Sequence, residues 1–107
     1  MVKQGDIIMV SLDPTKGHEQ QGFRPCLCLS NELVYQHSHL IIVAPISNTK
    51  RVYPLYYELT DYVITGKVML DHLKSIDPKA RKFVYKESLR KEDLLNILDL
   101  AQAIFDQ

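Results

Sequence analysis

The polar connection at residues 13–25 contains the side chains that an acid–base site for a phosphate ester requires. His18 can exchange a proton near neutral pH, and Arg24 can bind a phosphate group through two parallel hydrogen bonds. Glu19 and Gln20 lie between them. Because the connection joins two apolar runs, we predict a long loop held by strands at both ends, where binding and catalysis usually occur.

A second polar group follows the most apolar run of the chain. Ser47, Asn48 and Thr49 carry hydroxyl and amide groups of the kind that hydrogen-bond phosphate or sugar oxygens, and Lys50 and Arg51 add positive charge. An ordinary polar hairpin loop explains the same composition. Both interpretations place these residues at the end of a strand.

Two further groups have a structural and a functional interpretation each. Asp71 lies where the apolar run that starts after Lys67 becomes polar, so it is either an acid–base group or a structural cap. The basic residues after it form either a contact surface for a nucleic-acid backbone or a solvated face. They are Lys74, Lys79, Arg81 and Lys82.

The sequence contains no recognisable metal or nucleotide-cofactor motif. Cys26 and Cys28 have no second cysteine pair, and two small buried apolar residues are the favoured interpretation. We therefore predict chemistry by side chains alone, with no cofactor and no metal. RNA cleavage by the substrate's own 2′-hydroxyl fits, because it needs a proton acceptor, a proton donor and a cation at the phosphorus.

Composition places the chain among small globular proteins. Its 107 residues, 46% hydrophobic and 24% charged, predict a single domain over 1–107. The formal net charge is +0, so a site for a polyanion must be a local patch. No apolar stretch approaches the roughly 20 residues of a membrane span, and the N-terminus lacks the apolar core of a signal peptide. These features predict a cytoplasmic protein that does not bind membranes.

Hydrophobic periodicity predicts many short strands followed by one helix. The terminal helix has apolar residues at 94, 95, 98, 101, 104 and 105, with Ser88 as its predicted N-cap. Residues 31–38 are either a connection or a short helical turn. The predicted strands lie at about 5–12, 26–30, 39–46, 53–59 and 67–71. Residues 73–76 either continue the fifth strand or begin a short sixth, and residues 79–86 are basic and partly extended. This order indicates a mainly β fold, a small and strongly bent antiparallel barrel with a C-terminal α-helix.

Several blocks of the chain, in order, resemble the MazF/PemK (Kid) toxins of bacterial toxin–antitoxin modules. The most specific block is the run GHEQQG at 17–22 followed by Arg24-Pro25. The others are Gly5-Asp6-Ile7, Leu12-Asp13-Pro14-Thr15, Ala44-Pro45-Ile46-Ser47, Gly66-Lys67-Val68, Asp71, and Lys74-Ser75-Ile76-Asp77 with Arg81 after it. The resemblance extends from about Gly5 to the terminal helix.

This resemblance implies an SH3-like, CcdB/PemK-like β-barrel that forms a homodimer. It implies a ribosome-independent mRNA interferase that cuts single-stranded RNA at a short sequence without metal, leaving a 2′,3′-cyclic phosphate and a 5′-hydroxyl. The resemblance then implies that Arg24 stabilises the phosphorane and is a candidate acid or base. Ser47 is the strand-end hydroxyl, and His18 and Asp71 match the imidazole and carboxylate of the PemK-like branch. The implied partner is a MazE/PemI-like antitoxin whose disordered acidic tail covers the RNA groove.

One position departs from the family pattern. The PemK-like branch has an arginine two residues before its carboxylate, and here that position is Met69. We therefore expect Arg24 and Ser47 to matter more than Asp71, with Lys67 as a candidate replacement charge. The predicted RNA-binding residues are Glu19, Gln20, Asn48, Thr49, Lys50, Arg51, Lys67, Lys74 and Arg81.

Two other functions remain open at this point. The gyrase-poisoning toxins of the CcdB type share the barrel and cut nothing, so the fold alone does not separate them from nucleases. A plain SH3-like interaction module is the third possibility, although it gives His18, Arg24 and Ser47 no common role.

Overall fold

Strands make up most of the regular structure in this computed structural model, which describes residues 1–11 and 23–106. The strands are β1 (Asp6–Ser11), β2 (Phe23–Cys28), β3 (Ile41–Ser47), β4 (Tyr56–Glu58), β5 (Lys67–Met69), β6 (Lys74–Ile76) and β7 (Phe83–Ser88). The helices are α1 (Glu32–Ser38) and α2 (Lys91–Ala103), and a 3-10 turn spans Pro78–Ala80. Residues 31–38 thus take the helical form of the two that the sequence allows. Within the described ranges, no helix is long and apolar enough to cross a membrane.

The strands pair antiparallel in the order β4-β5-β3-β2-β1-β7. One edge of β3 is divided between two partners, because its last residues pair with β5 and residues 41–43 pair with β6. A bulge between Ile7 and Ile8 bends β1 against β7. The prediction of a small, bent, barrel-like antiparallel fold with a C-terminal helix is confirmed.

Side chains alternate between the two faces of the sheet and form two separate cores. One core packs against α2, and its fully buried members include Ile7, Leu27, Ala44, Val68, Leu70 and Ile97. The other lies on the opposite face beside Tyr35 of α1 and includes Ile8, Val10, Cys26, Cys28 and Val43. Each strand residue therefore belongs either to the α2 face or to what we call the open face.

The two cysteines belong to the open-face core and are free thiols, as the sequence predicts. Burial, with the neighbouring Cys28 as a smaller cause, raises the pKa of Cys26 to about 12. Burial also raises the pKa of Cys28 to about 11. Both side chains are protonated at neutral pH and act as small apolar residues.

β2 begins three residues earlier than predicted. Pro25 lies within it, opposite Met9 of β1, although proline has no N–H for a ladder. The pairing between β2 and β3 starts only at Cys26, so Pro25 stands just beyond that ladder. The strand predicted at 53–59 is shorter in the structure. A turn in which the N–H of Tyr56 donates to the carbonyl oxygen of Tyr53 occupies its first residues, and β4 begins at Tyr56.

The predicted N-cap of the terminal helix is wrong. Ser88 is the last residue of β7, and its hydroxyl donates to Asp6 Oδ1 at 2.9 Å. The N-cap is Arg90, which makes no side-chain capping bond. Asp6 takes the Ser88 hydroxyl because β1 and β7 pair at these two residues, so a tertiary contact overrides the local capping preference.

Candidate active site

Arg24 and Ser47 come together because of the register between β2 and β3. The β2–β3 ladder ends at the pair of Cys26 and Pro45, and Arg24 and Ser47 each lie two residues beyond that pair in their strands. Residues two apart in a strand point to the same face, so Arg24 and Ser47 both lie on the open face. The sheet therefore aligns a guanidinium and a hydroxyl that are more than twenty residues apart in sequence.

Arg24 and Ser47 line the same surface cleft, which has a volume of about 420 Å³ and is referred to below simply as the cleft. Arg24 is exposed and Ser47 is half-buried. A cation, a hydroxyl and an amide around one concave surface suit an anionic group with several acceptor oxygens. The lining residues are Arg24, Pro25, Pro45, Ile46, Ser47, Asn48 and Met69.

The backbone after Ser47 is held by side-chain hydrogen bonds. The N–H of Thr49 donates to Ser47 Oγ at 3.2 Å, and the N–H of Arg51 donates to Thr49 Oγ1 at 3.2 Å. The bond to Ser47 uses a lone pair and not the hydroxyl hydrogen, which can be donated to a ligand oxygen. The Ser47 hydroxyl is thus oriented before any ligand arrives.

Gly66 packs directly against the backbone of Ser47. Its φ of +127° lies in the region that favours glycine, and a Cβ there would come within 2.7 Å of the Ser47 carbonyl oxygen. Next to it, Thr65 Oγ1 donates to Asn48 Oδ1 at 3.2 Å. Residues 65–66 therefore support the cleft from behind.

The loop that carries Thr65 and Gly66 is fastened to the start of α2. Tyr57 Oη donates to Asp93 Oδ1 at 2.6 Å, and Tyr62 Oη donates to Asp93 Oδ2 at 2.5 Å. These bonds, with that from Tyr57 the larger cause, lower the pKa of Asp93. Burial, with the bond to Asp93 as a second cause, raises the pKa of both tyrosines.

Lys67 pairs with Ser47 across β3 and β5, so it starts from the same face of the sheet. Its Nζ donates to the carbonyl oxygen of Arg51 at 2.8 Å, and Lys67 is not among the residues that line the cleft. In this arrangement the ammonium group holds the 47–51 segment in place.

Asp71 lies in the turn after β5 and is not among the residues that line the cleft. Its Oδ1 is 3.3 Å from Nε2 of His72, and the same nitrogen is 3.3 Å from the hydroxyl of Tyr56. Met69, at the position where the resemblance to the PemK-like branch implies an arginine, lines the cleft. The structure thus brings Arg24, Ser47 and Asn48 together in the cleft and does not bring Asp71 into it.

The remaining predicted site residues are distributed more widely. Lys50 and Lys74 are exposed, whereas Arg81 is half-buried and donates to the carbonyl oxygen of Ser11 at 2.5 Å. His18, Glu19 and Gln20 fall within 12–22 and lie outside the residues that the structure describes.

Sequence reasoning missed an aromatic group next to the cleft. The rings of Tyr53 and Tyr56 meet edge to face at 5.0 Å, and the guanidinium of Arg51 lies 4.3 Å from the centre of the Tyr53 ring. His72 packs against Tyr56 at 6.2 Å. The available signal was Arg51 followed closely by two tyrosines, an interleaving of basic and aromatic residues that is typical of RNA-binding surfaces.

Comparison with known proteins places this geometry in a family. The chain matches the family described as "PemK-like, MazF-like toxin of type II toxin-antitoxin system" over residues 3–105. It is 33% identical over 90 residues to the endoribonuclease toxin MazF of Escherichia coli strain K12, covering 84% of this chain and 81% of that protein. It is 39% identical over 85 residues to the endoribonuclease PemK of Escherichia coli, covering 75% of this chain and 64% of that one.

Solved structures share the fold. A MazE–MazF complex from Deinococcus radiodurans superposes with a TM-score of 0.81 and 19% identity, covering 99% of this chain and 96% of that chain. A mycobacterial endoribonuclease in complex with its cognate antitoxin superposes with a TM-score of 0.76 and 18% identity, covering 97% and 93%. At these identities the structures establish the common fold.

Proposed function

This chain belongs to the PemK-like, MazF-like toxin family of type II toxin–antitoxin systems, and we propose on that basis that it is a sequence-specific endoribonuclease. Its substrate is single-stranded RNA, cut independently of the ribosome. The observation that carries the proposal is the meeting of Arg24, Ser47 and Asn48 in one cleft of a chain with endoribonuclease relatives.

The cleft suits a phosphodiester. Arg24 binds non-bridging oxygens of the phosphate and stabilises the negative charge that builds on them as the phosphorus becomes five-coordinate. Ser47 donates its hydroxyl hydrogen to the same phosphate group. That hydrogen is available because the Ser47 oxygen only accepts a hydrogen bond from the N–H of Thr49. Neutral donors and a cation on rigid strands act without having to reorganise during the reaction.

The reaction is a transesterification within the RNA. The 2′-hydroxyl loses its proton to a base, its oxygen forms a new bond to phosphorus, and the bond from phosphorus to the 5′ oxygen breaks. The leaving oxygen takes up a proton, so the products are a 2′,3′-cyclic phosphate and a 5′-hydroxyl. His18 and Arg24 serve the two proton transfers in this proposal, and Asp71 is a candidate assisting carboxylate.

The RNA contacts extend outward from the cleft. Asn48 and Thr49 bind sugar or phosphate oxygens, and Lys50, Arg51 and Lys74 add positive charge that attracts the backbone. Glu19 and Gln20 contribute from the connection at 12–22. Lys67 and Arg81 act through the segments that they hold, since each already donates to a backbone carbonyl oxygen.

We propose the family's partners for this chain as well. A second copy forms a homodimer whose groove combines the basic residues of both chains. A cognate antitoxin with a disordered, acidic tail folds across that groove and blocks the RNA, at the entropic cost that coupled folding implies. The site of action is the cytoplasm, where mRNA is available.

The test is to incubate purified protein with a long single-stranded RNA and map the cut ends. We expect cleavage at one short sequence, with cyclic phosphate and 5′-hydroxyl ends, and unchanged activity in EDTA. Lys86→Ala, an exposed cation on β7, is the matched control for Arg24→Ala. Intact RNA after incubation with the wild-type protein contradicts the proposal, and strict dependence on added magnesium contradicts its metal-free chemistry.

The relatives MazF and PemK of Escherichia coli are named endoribonucleases, which favours RNA cleavage over gyrase binding. A gyrase supercoiling assay with the same preparation separates the two functions. We expect supercoiling to proceed unaffected.

A further inference from the structure

We propose that Arg51, Tyr53, Tyr56 and His72 form an aromatic platform on which one nucleobase of the bound RNA stacks. The inference rests on the proposed endoribonuclease function and identifies a contact next to the phosphate in the cleft. Its role is recognition and positioning of the RNA, since none of the four side chains lines the cleft itself.

The platform is built from planar groups in mutual contact. The guanidinium of Arg51 lies over the Tyr53 ring at 4.3 Å and within 5.6 Å of the Tyr56 ring. Tyr53 and Tyr56 are perpendicular to within about ten degrees, at an interplanar angle of 81°. His72 meets Tyr56 at 66°, and its Nε2 is 3.3 Å from the Tyr56 hydroxyl. Each ring is thereby fixed by a neighbour.

Strand register joins the platform to the cleft. Tyr56 of β4 pairs with Met69 of β5, so both side chains lie on the same face of the sheet, and Met69 lines the cleft. The backbone makes a second connection, because the hydrogen bonds from Thr49 and Arg51 fix the segment that begins at Ser47. Four residues span at most about 14 Å, so a nucleotide neighbouring the bound phosphate can reach the platform.

The position of the charges favours a nucleobase as the occupant. Arg51 is exposed whereas Tyr53 and Tyr56 are half-buried, so the guanidinium plane forms the outer surface. Single-stranded RNA is commonly held by stacking of unpaired bases on aromatic rings and on guanidinium planes. Asp71 Oδ1 is 3.3 Å from His72 Nε2, and a carboxylate at this position disfavours the side chain of an acidic peptide while leaving an uncharged base unaffected.

The test uses 2-aminopurine, whose fluorescence falls on stacking, placed at successive positions of a 2′-O-methylated oligonucleotide that contains the mapped cleavage sequence. This RNA binds but cannot supply the attacking hydroxyl. We expect quenching at one position by the wild-type protein. Arg51→Lys keeps the charge but loses the plane, so it abolishes that quenching. Lys86→Gln is the control and retains it.

A second measurement asks whether stacking contributes to turnover. Loss of one base–aromatic contact corresponds to roughly a tenfold loss in affinity. We therefore expect Arg51→Lys to lower kcat/KM by about tenfold on intact RNA, mainly through KM, and to have no further effect on RNA that is abasic at the quenched position. Removing the base and removing the plane are then not additive.

Three outcomes would overturn the platform. They are the absence of quenching at every position, equal quenching by Arg51→Lys and the wild-type protein, and a loss in Arg51→Lys that persists in full on abasic RNA. A fourth contrary outcome is an Arg51→Lys protein that cleaves RNA normally but binds the antitoxin poorly, because the occupant of the platform is then a peptide. Failure of the proposed nuclease function is recognised separately, by intact RNA with the wild-type protein.

Discussion

The two faces of the sheet use neighbouring residues of the same strands for different purposes. Ile46 faces α2 and is buried, whereas Ser47 faces the cleft. Tyr57 donates to Asp93 of α2, whereas Tyr56 lies with Arg51 and His72 on the open face. The α2 face pairs its polar groups with one another, and the open face leaves cationic and aromatic groups at the surface. At these positions, one step along a strand separates a residue that packs against α2 from a residue at the cleft or in the aromatic group.

The sharpest test of this separation is Arg24→Ala. Removing a group that stabilises a developing charge lowers the cleavage rate by about 10²–10³-fold. Arg24 is exposed, so the free energy of unfolding should change by less than about 0.5 kcal/mol. Single-turnover cleavage and urea unfolding measure the two quantities. Full activity in the folded variant removes Arg24 from the mechanism.

The opposite result is expected for Ile97→Ala on the α2 face. Ile97 is the residue of α2 that is fully buried in the core between the helix and the sheet, so truncation should lower the free energy of unfolding by about 3 kcal/mol. Cleavage per folded molecule should be unchanged. Leu95→Ala, half exposed on the same helix, is the control and should cost much less in urea unfolding. A large loss of activity at full folding would show that the two faces are coupled.

Gly66 lies between the two faces, and Gly66→Ala should affect both. The positive φ and the contact with the Ser47 carbonyl cost about 2 kcal/mol of stability, and displacement of Ser47 slows cleavage by about tenfold or more. Gly5→Ala is the matched control: Gly5 also has a positive φ, but its Cβ would meet Leu94 of α2. Equal slowing of cleavage in both variants would contradict a specific support of Ser47.

The smallest effect is the pH dependence of the Asp93 network. The pKa of Asp93 is lowered in the folded protein, so its stabilisation is present in full above the ordinary value of 3.8 and is lost as the pH falls through the folded value. Asp93→Asn should reduce the free energy of unfolding by about 1.5 kcal/mol at pH 7. The difference from wild type should shrink below about pH 4. Urea unfolding at pH 7 and pH 3 would reveal a constant difference if the charge were irrelevant.

Hydrophobic patterns within a short stretch of sequence correctly predicted the elements whose formation depends on that stretch alone. The β-branched run in β3 and the helical spacing of Leu94, Leu98 and Ala101 each describe a single element, and both elements formed where expected. The capping role of Ser88 failed because Asp6, 82 residues away, accepts its hydroxyl. Local preference has no information about such a partner.

The candidate site was accessible to sequence reasoning only in part. The residue types of Arg24 and Ser47 indicated phosphate chemistry, but their meeting depends on the register that starts at Cys26 and Pro45. The aromatic platform was missed because the turn at Tyr53 and the pairing of Tyr56 with Met69 decide which rings share a face. His18, Glu19 and Gln20 remain predictions.

The buried thiols of β2 have a practical consequence. Cys26 is two residues from Arg24 on the same face, it has no exposed surface, and its pKa is raised to about 12. A thiol-directed reagent therefore reacts only while the central strand is transiently detached. The rate of alkylation therefore measures how often β2 detaches from the sheet, and the measurement needs neither a fluorescent label nor RNA.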